Sequence, residues 1–347
     1  MNKPSAQLPG RLALVIGSIV LGLLALEIGL RAWNGWLDKW PNFVLGARTV
    51  HTSTEQQRFR DDKRLGWLPH PGSADFDADG FRISDSPRGG TPVLAVGDSY
   101  TYGDEVSDSE TWPAHLQYQL GQKVLNAGVS GYGFDQIVLR AEMLAATTHP
   151  SAIVVGFIAD DIRRTEMKRL WGAEKPYFDI EAGKLALRNV PVPPRPDPRT
   201  TLSVWQWTLG YSLLFDFVLR RLDLLHDWFG DHVRVHEAGD GEGIACLLTG
   251  RLAQLQAASG ARVVVLAQYD PLVWQEPKFA AEQRRLTQGV LDCARRQGVA
   301  AVDSFEALSK WTGKGGPRGL YGLWHMNGQG NRLTAQLVAA VLAKPER

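Results

Sequence analysis

The residues with the clearest chemical potential sit in "TPVLAVGDSYTYGDEV", residues 91–106. An apolar run, Val93-Leu94-Ala95-Val96, stops at Gly97-Asp98-Ser99. A serine at a strand-to-helix turn is exposed, and the helix start presents free N–H groups to a developing oxyanion. Those are the needs of a nucleophile in acyl transfer. The hydroxyl also needs a base, and histidine is the usual choice. Of eight histidines, only His325 stands in a short loop before a helix near the C-terminus, with Asn327 and Gly328 beside it. The order along the chain is serine first, histidine last. Three nearby carboxylates read as structural: Asp98 shapes the turn, Asp104 is solvated and Asp161 ties down its own loop. The glycines of "NAGVSGYG", residues 126–133, lack the G-x-G-x-x-G order of a dinucleotide loop.

Groups this far apart need a scaffold that brings strand ends together. "VLAV", "KVLNAGV" and "SAIVVGFI" read as strands, separated by helices over "SETWPAHLQYQLG" and "DQIVLRAEMLAATT". In the first helix Trp112, Leu116 and Leu120 recur at a spacing of four, and Gly121 is the stop. After residue 240 the rhythm returns, with strands "ARVVVLAQY" and "VAAVDSF" among three further helices. Strands without alternation are buried on both faces, which predicts an α/β fold with a doubly wound, mostly parallel sheet. Reactive groups collect beyond the carboxyl ends of such strands. Residues 33–90 read as an irregular lead-in that packs on the main domain, with turn signals at Pro71-Gly72 and Asp79-Gly80. Residues 163–240 interrupt the rhythm as a helical insertion. In it "VPVPPRPDP" runs extended, and the apolar "SVWQWTLGYSLLFDFVLRRLDLLHDWF" is either a cap over the site or a second membrane-surface contact. Gln206, Asp216, Arg220 and Arg221 break its apolar runs, so it is not a second span.

Taken together, these stretches resemble the SGNH, or GDSL-like, hydrolase superfamily over residues 91–345. "VGDSYTYG" is similar to its first block, which implies that Ser99 is the nucleophile and that its backbone N–H is an oxyanion donor. "NAGVSGYG" is similar to the second block, implying a further donor at Gly131. "ADDI" falls where the third block reads Asn-Asp, with Asp160 at the Asn position. "HMNGQG" resembles the fifth block and implies His325 as general base. The lead-in "LGWLPHPG…DGFR" is similar to that of membrane-anchored bacterial members. Two positions depart from the pattern. An ionised Asp160 has no proton to donate, and serves the oxyanion only if burial beside Asp161 keeps it protonated. The orienting acid, three residues before the histidine in the family, is replaced by Gly322, and no carboxylate lies between Glu306 and His325. Ser99 and His325 then work as a dyad, or a remote acid such as Asp303 reaches the ring.

The N-terminal stretch "RLALVIGSIVLGLLALEIGLRAW" reads as a membrane helix. Leu12 to Leu30 carries one charge, Glu27, and at 1.5 Å per residue reaches about 28 Å, close to a hydrocarbon core. Trp33, Trp36 and Trp40 suit an interfacial belt. The expected organisation is a cytoplasmic tail over 1–11, an uncleaved anchor over 12–32, and a periplasmic main domain at a bacterial inner membrane. With 38 basic and 37 acidic residues, the chain has no electrostatic footprint for nucleic acid. Cys246 and Cys293 lie in no CxxC pair and near no ligand-spaced histidine, so no metal site is expected. They read as two packed thiols, or as one disulfide if the domain lies outside the cytoplasm. The expected activity is serine-esterase removal or transfer of O-acyl groups, such as acetyl, on an envelope or extracellular carbohydrate or a small ester, without metal or organic cofactor. The competing reading is a non-catalytic relative that binds a glycan or assists an envelope assembly.

Overall fold

The structure, a computed structural model, describes residues 8–35, 58–73, 75–84, 89–195 and 202–344. The chain divides into two compact units. One joins Met1–Thr54 to Pro196–His232; the other joins Glu55–Arg195 to Val233–Arg347.

The larger unit is built on five parallel strands: β1 Val93–Val96, β2 Val124–Asn126, β3 Ala152–Phe157, β4 Arg262–Ala267 and β5 Ala300–Asp303. Their spatial order is β5-β4-β3-β1-β2. Alternate side chains enter different cores, as strand geometry requires. Val93, Ala95, Val154, Val264 and Leu266 pack with Trp112, Leu116 and Val338, from the helices Trp112–Leu120 and Gly328–Leu342. Leu94, Val96, Ile153, Val155, Val263 and Val265 face the helices Phe134–Thr148, Asp240–Ser259 and Pro277–Arg296. Both faces are covered, which is why the strands read as unbroken apolar runs. Strand order reverses between β1 and β3, and that switch point is where such sheets open a crevice beyond their carboxyl ends.

The lead-in is more ordered than its composition suggests. Phe59–Asp62 and Gly66–Pro69 form an antiparallel hairpin, and Arg82 bridges to Asn126 at the end of β2. Trp36 and Trp40 lie outside the described residues. The insertion is only partly helical. Met167–Leu170, Ala173–Glu174 and Val233–Arg234 make a small antiparallel sheet, and Tyr177–Glu181 pairs with Lys184–Arg188. The two-residue loop Ala182-Gly183 has positive φ at both positions, the geometry that closes a twisted hairpin. Fully buried Lys175 fastens this β arm, donating to Asp135 at 2.5 Å and to the carbonyls of Arg164, Met167 and Pro176.

Cys246 and Cys293 are a disulfide joining the helices Asp240–Ser259 and Pro277–Arg296, not two free thiols. In the smaller unit the N-terminal helix Leu8–Trp33 packs on Leu213–Arg221, one of three short helices with Val204–Leu209 and Leu225–Phe229. The N-terminal helix is long and apolar enough over Gly10–Trp33 to cross a membrane.

Candidate active site

Strand β1 ends at Val96, and Ser99 opens a single helical turn, Ser99–Tyr102. Gly97 makes the bend possible: a Cβ there would meet Thr101 Oγ1 at 2.0 Å and the Gly156 carbonyl at 2.8 Å. Asp98 caps the turn by accepting from the Tyr100 N–H at 2.9 Å, as its sequence position suggests. Gly103, in left-handed conformation, ends it. Ser99 is thereby held in a fixed position, and its N–H, first in the turn, has no intrahelical acceptor.

His325 reaches this turn from the loop before the helix Gly328–Leu342. Asn327 caps that helix, accepting from the Gln329 and Gly330 N–H groups. The loop closes on itself through Gly322 N–H to the His325 carbonyl at 2.8 Å. Tyr100 packs its ring 5.0 Å from the imidazole and donates its hydroxyl to the Trp324 carbonyl at 2.8 Å. His325 Nε2 lies 3.0 Å from Ser99 Oγ, within reach for proton transfer. The serine and histidine, 226 positions apart in sequence, are thus adjacent.

On the far side of the ring, Nδ1 lies 3.1 Å from Glu105 Oε1. The same carboxylate accepts from the Leu323 N–H at 2.7 Å and the Trp324 N–H at 3.1 Å. Burial alone would raise its pKa, but the hydrogen bonds from His325, Trp324 and Leu323 prevail and hold it below the usual carboxylate range. Gly322 stands where the resemblance expects the acid. A Cβ at that glycine would lie 2.6 Å from Glu105 Oε2. The missing side chain and the new carboxylate therefore occupy one space. Asp303, considered as a remote acid, accepts instead from the Tyr269 hydroxyl and the Phe305 N–H. Nothing in the linear order pointed to Glu105, which follows the serine by six positions; only the loop's curvature joins it to His325.

That curvature has a visible cause. Arg82, buried, donates to the carbonyls of Tyr102, Gly103 and Val106 and to Asp108 at 2.9 Å. The lead-in thus clamps the loop that carries Glu105, whose own φ is 71°. Asp104 is engaged as well, accepting from Ser130 Oγ at 2.9 Å, so it is not simply solvated.

The two further positions that the resemblance assigns to the oxyanion, Gly131 and Asp160, are unlike each other. Gly131 has φ +82°, and a Cβ there would meet the Trp171 ring at 2.3 Å, so a larger residue would be strained and would displace Trp171. Asp160 is not buried beside Asp161: its side chain is 48% exposed and paired with Arg163. The burial that its donor role required is therefore absent, and the side chain is turned to Arg163. Asp161 accepts from the Ile158 N–H at 3.0 Å and from Arg164 at 2.7 Å, tying down its loop. Arg164 also lies 3.8 Å from Asp98, whose Oδ2 is 3.4 Å from Ser99 Oγ. Burial, then repulsion from Asp98, pushes the Asp161 carboxyl well above its ordinary range, against the pull of Arg164. Burial likewise raises Asp98, against Arg164. Among the described residues, one set of three donors lies close enough to share a cation, His226, Asp231 and His232, and it belongs to the smaller unit.

The model of the GDSL-like Lipase/Acylhydrolase family matches residues 95–333. No curated protein matches the chain. Among solved structures, the chain is similar to TesA at 16% identity, covering 73% of this chain and 98% of that one with a TM-score of 0.42. It is similar to LAE5, an alpha/beta hydrolase enzyme from the metagenome of Lake Arreo, at 14% identity, 75% and 99% coverage and a TM-score of 0.45. It is similar to a catalytic mutant of Axe2, an acetylxylan esterase from Geobacillus stearothermophilus, at 12% identity, 75% and 97% coverage and a TM-score of 0.43.

Proposed function

Because the chain belongs to the GDSL-like lipase/acylhydrolase family, we propose that it is a serine esterase anchored in the bacterial inner membrane, with its catalytic domain in the periplasm. It removes or transfers O-acyl groups, such as acetyl, on envelope or extracellular carbohydrate. The single observation that carries this reading is the unbroken path from Ser99 Oγ to His325 Nε2 at 3.0 Å and from Nδ1 to Glu105 at 3.1 Å. In this reading residues 1–11 are the cytoplasmic tail, 12–32 the anchor, 33–90 the lead-in and 91–345 the catalytic domain with its insertion.

Ser99 Oγ attacks the ester carbonyl while His325 Nε2 takes its proton. Glu105 holds the ring in the tautomer that leaves Nε2 free to accept, and stabilises the imidazolium that forms. The tetrahedral oxyanion takes hydrogen bonds from the Ser99 and Gly131 N–H groups. His325 then gives the proton to the leaving alkoxide, and the acyl-enzyme passes its acyl group to water or to an acceptor hydroxyl activated by the same imidazole. Glu105 replaces the dyad with a triad. Two half-exposed aromatic side chains support a sugar substrate: Trp171 against Gly131, and Trp324 next to His325. Their flat faces suit the C–H face of a pyranose ring. The Cys246–Cys293 disulfide supports an oxidising compartment.

The non-catalytic reading is favoured only by Asp160, which is turned to Arg163. A fluorophosphonate probe on the full chain in detergent decides between the two. The esterase is labelled, Ser99→Ala is not, and His325→Ala is labelled at least about tenfold more slowly. A folded chain that takes up no probe would overturn the esterase reading and support the binding protein.

A further inference from the structure

The N-terminal helix carries two polar residues in its second half, and they are the two that the structure buries. From Gly10 to Trp33, every residue is exposed or half-exposed except Glu27 and Arg31. They stand four apart on one face, with Arg31 Nε donating to Glu27 at 2.7 Å. The remaining partners of Glu27 come from the helical insertion. Its carboxylate accepts from Ser212 Oγ at 2.9 Å, the Leu213 N–H at 2.9 Å and the Leu214 N–H at 2.8 Å. Arg31 donates to the Tyr211 carbonyl. Ser212 caps the helix Leu213–Arg221 by accepting from the Phe215 N–H at 3.0 Å, and Glu27 completes that cap by taking the two preceding N–H groups, so the carboxylate accepts four hydrogen bonds in all.

An ionisable residue inside a membrane span is costly unless it is paired. Here the pairing group is the start of the insertion helix. Glu27 lies six residues before Trp33, so that start sits about 9 Å inside the end of the span. The outward surface of the insertion is what that depth demands. Val204, Trp205, Phe217 and Leu222 are each more than half exposed. Phe217 and Val218 form the outer face of their helix, which ends in Arg220 and Arg221. In water these residues would be an uncovered apolar patch. A short helix with one apolar face, aromatic side chains and terminal arginines suits the boundary between acyl chains and headgroups.

Resting on the reading of the N-terminal helix as a membrane span, we infer that the helical insertion, residues 202–232, is a second membrane element. It is seated in the same leaflet boundary, bonded to the anchor through Glu27 and Arg31, and its outward face is covered by lipid. The anchor is then part of the mature fold, because cleaving it away would leave the Leu213 and Leu214 N–H groups of the insertion helix without their acceptor. The catalytic unit is tethered to the membrane at both ends of the insertion as well as through its N-terminus.

The test places a specific protease site at residue 45 of the full chain, reconstituted in phosphatidylethanolamine–phosphatidylglycerol vesicles. Before cutting, the chain should resist alkaline carbonate; a chain that washes off overturns both the anchor and the inference. After complete cutting, the catalytic fragment should still float with the vesicles in high salt. The Trp205→Glu/Phe217→Glu variant should lose at least about tenfold of that retention once cut. A wild-type fragment released by the cut, whether monomeric or as a stable dimer covering the patch, overturns the inference. So does a cut variant retained as well as wild type, since protein contacts alone would then hold it. Hydrolysis of p-nitrophenyl acetate is followed in every fraction. Absence of turnover throughout tells against the esterase, whatever the flotation shows.

Discussion

At the scale of single residues, the site turns on an exchange between positions 105 and 322. An acid three residues before the histidine would need a side chain at Gly322, and the Glu105 carboxylate fills that volume. Glu105→Ala should lower kcat toward p-nitrophenyl acetate by up to about 10,000-fold, the loss seen when a serine-protease triad loses its acid. Adding Gly322→Asp to that variant should recover at least about tenfold, because the vacated space then admits the conventional acid. Gly322→Asp alone should lower activity, since the two carboxylates collide. A double variant no better than Glu105→Ala would show that Glu105 acts through the backbone of Leu323 and Trp324 rather than through the ring. Asp160 makes the second residue-scale prediction. Asp160→Asn supplies an amide in place of an anion, and restoring an oxyanion donor is worth about 100- to 1,000-fold where its geometry is met. The expected result is a rise in kcat of at least about tenfold with KM unchanged. An equal or lower kcat would assign Asp160 a role of its own beside Arg163.

Elements determine whether those residues meet. The turn that carries Ser99 was legible because an unbroken apolar run stops at Gly-Asp-Ser. The position of His325 in a loop before the last helix was legible too. Glu105 was not, because its partner lies 220 positions away and its loop is bent by Arg82, a lead-in residue that looked like irregular chain. The β arm was missed for a similar reason. The Tyr177–Glu181 and Lys184–Arg188 strands are short and charged, and they lie inside a stretch whose apolar helices dominated the reading. The strands of the parallel sheet were plain from their unbroken apolar runs. A pH experiment belongs at this scale, because Asp161, Asp98 and Arg164 join the third strand's end to the first. The folded pKa of Asp161 is raised, so the native chain keeps a proton that the unfolded chain gives up near pH 4. Stability from this group therefore falls as pH rises from about 4 toward the folded pKa. Asp161→Asn lacks that loss. Its melting temperature relative to wild type should climb between pH 4 and 7, and a flat difference would show that the proton is carried elsewhere.

For the whole molecule, the disulfide ties stability to compartment. It closes a loop between residues 47 apart in the chain, worth about 2–4 kcal/mol. Reduction, or Cys293→Ser, should lower the melting temperature by about 5–15 °C, read by calorimetry with and without reductant. A chain indifferent to reductant would remove the argument for an oxidising environment. A chain with 38 basic and 37 acidic residues has almost no net charge to draw in charged substrates from a distance. Encounter then depends on where the enzyme is held.

The location of the acid has one more consequence. Ser99 and Glu105 lie on the same short stretch, six positions apart, and the Arg82 clamp on that stretch sets their spacing. The imidazole alone arrives from elsewhere, and Glu105 both grips its ring and pins the backbone beneath it. Catalytic competence is therefore a single latch between two loops. Were the C-terminal loop to lift, the imidazole would leave in one motion, while the serine turn keeps its own cap on Asp98.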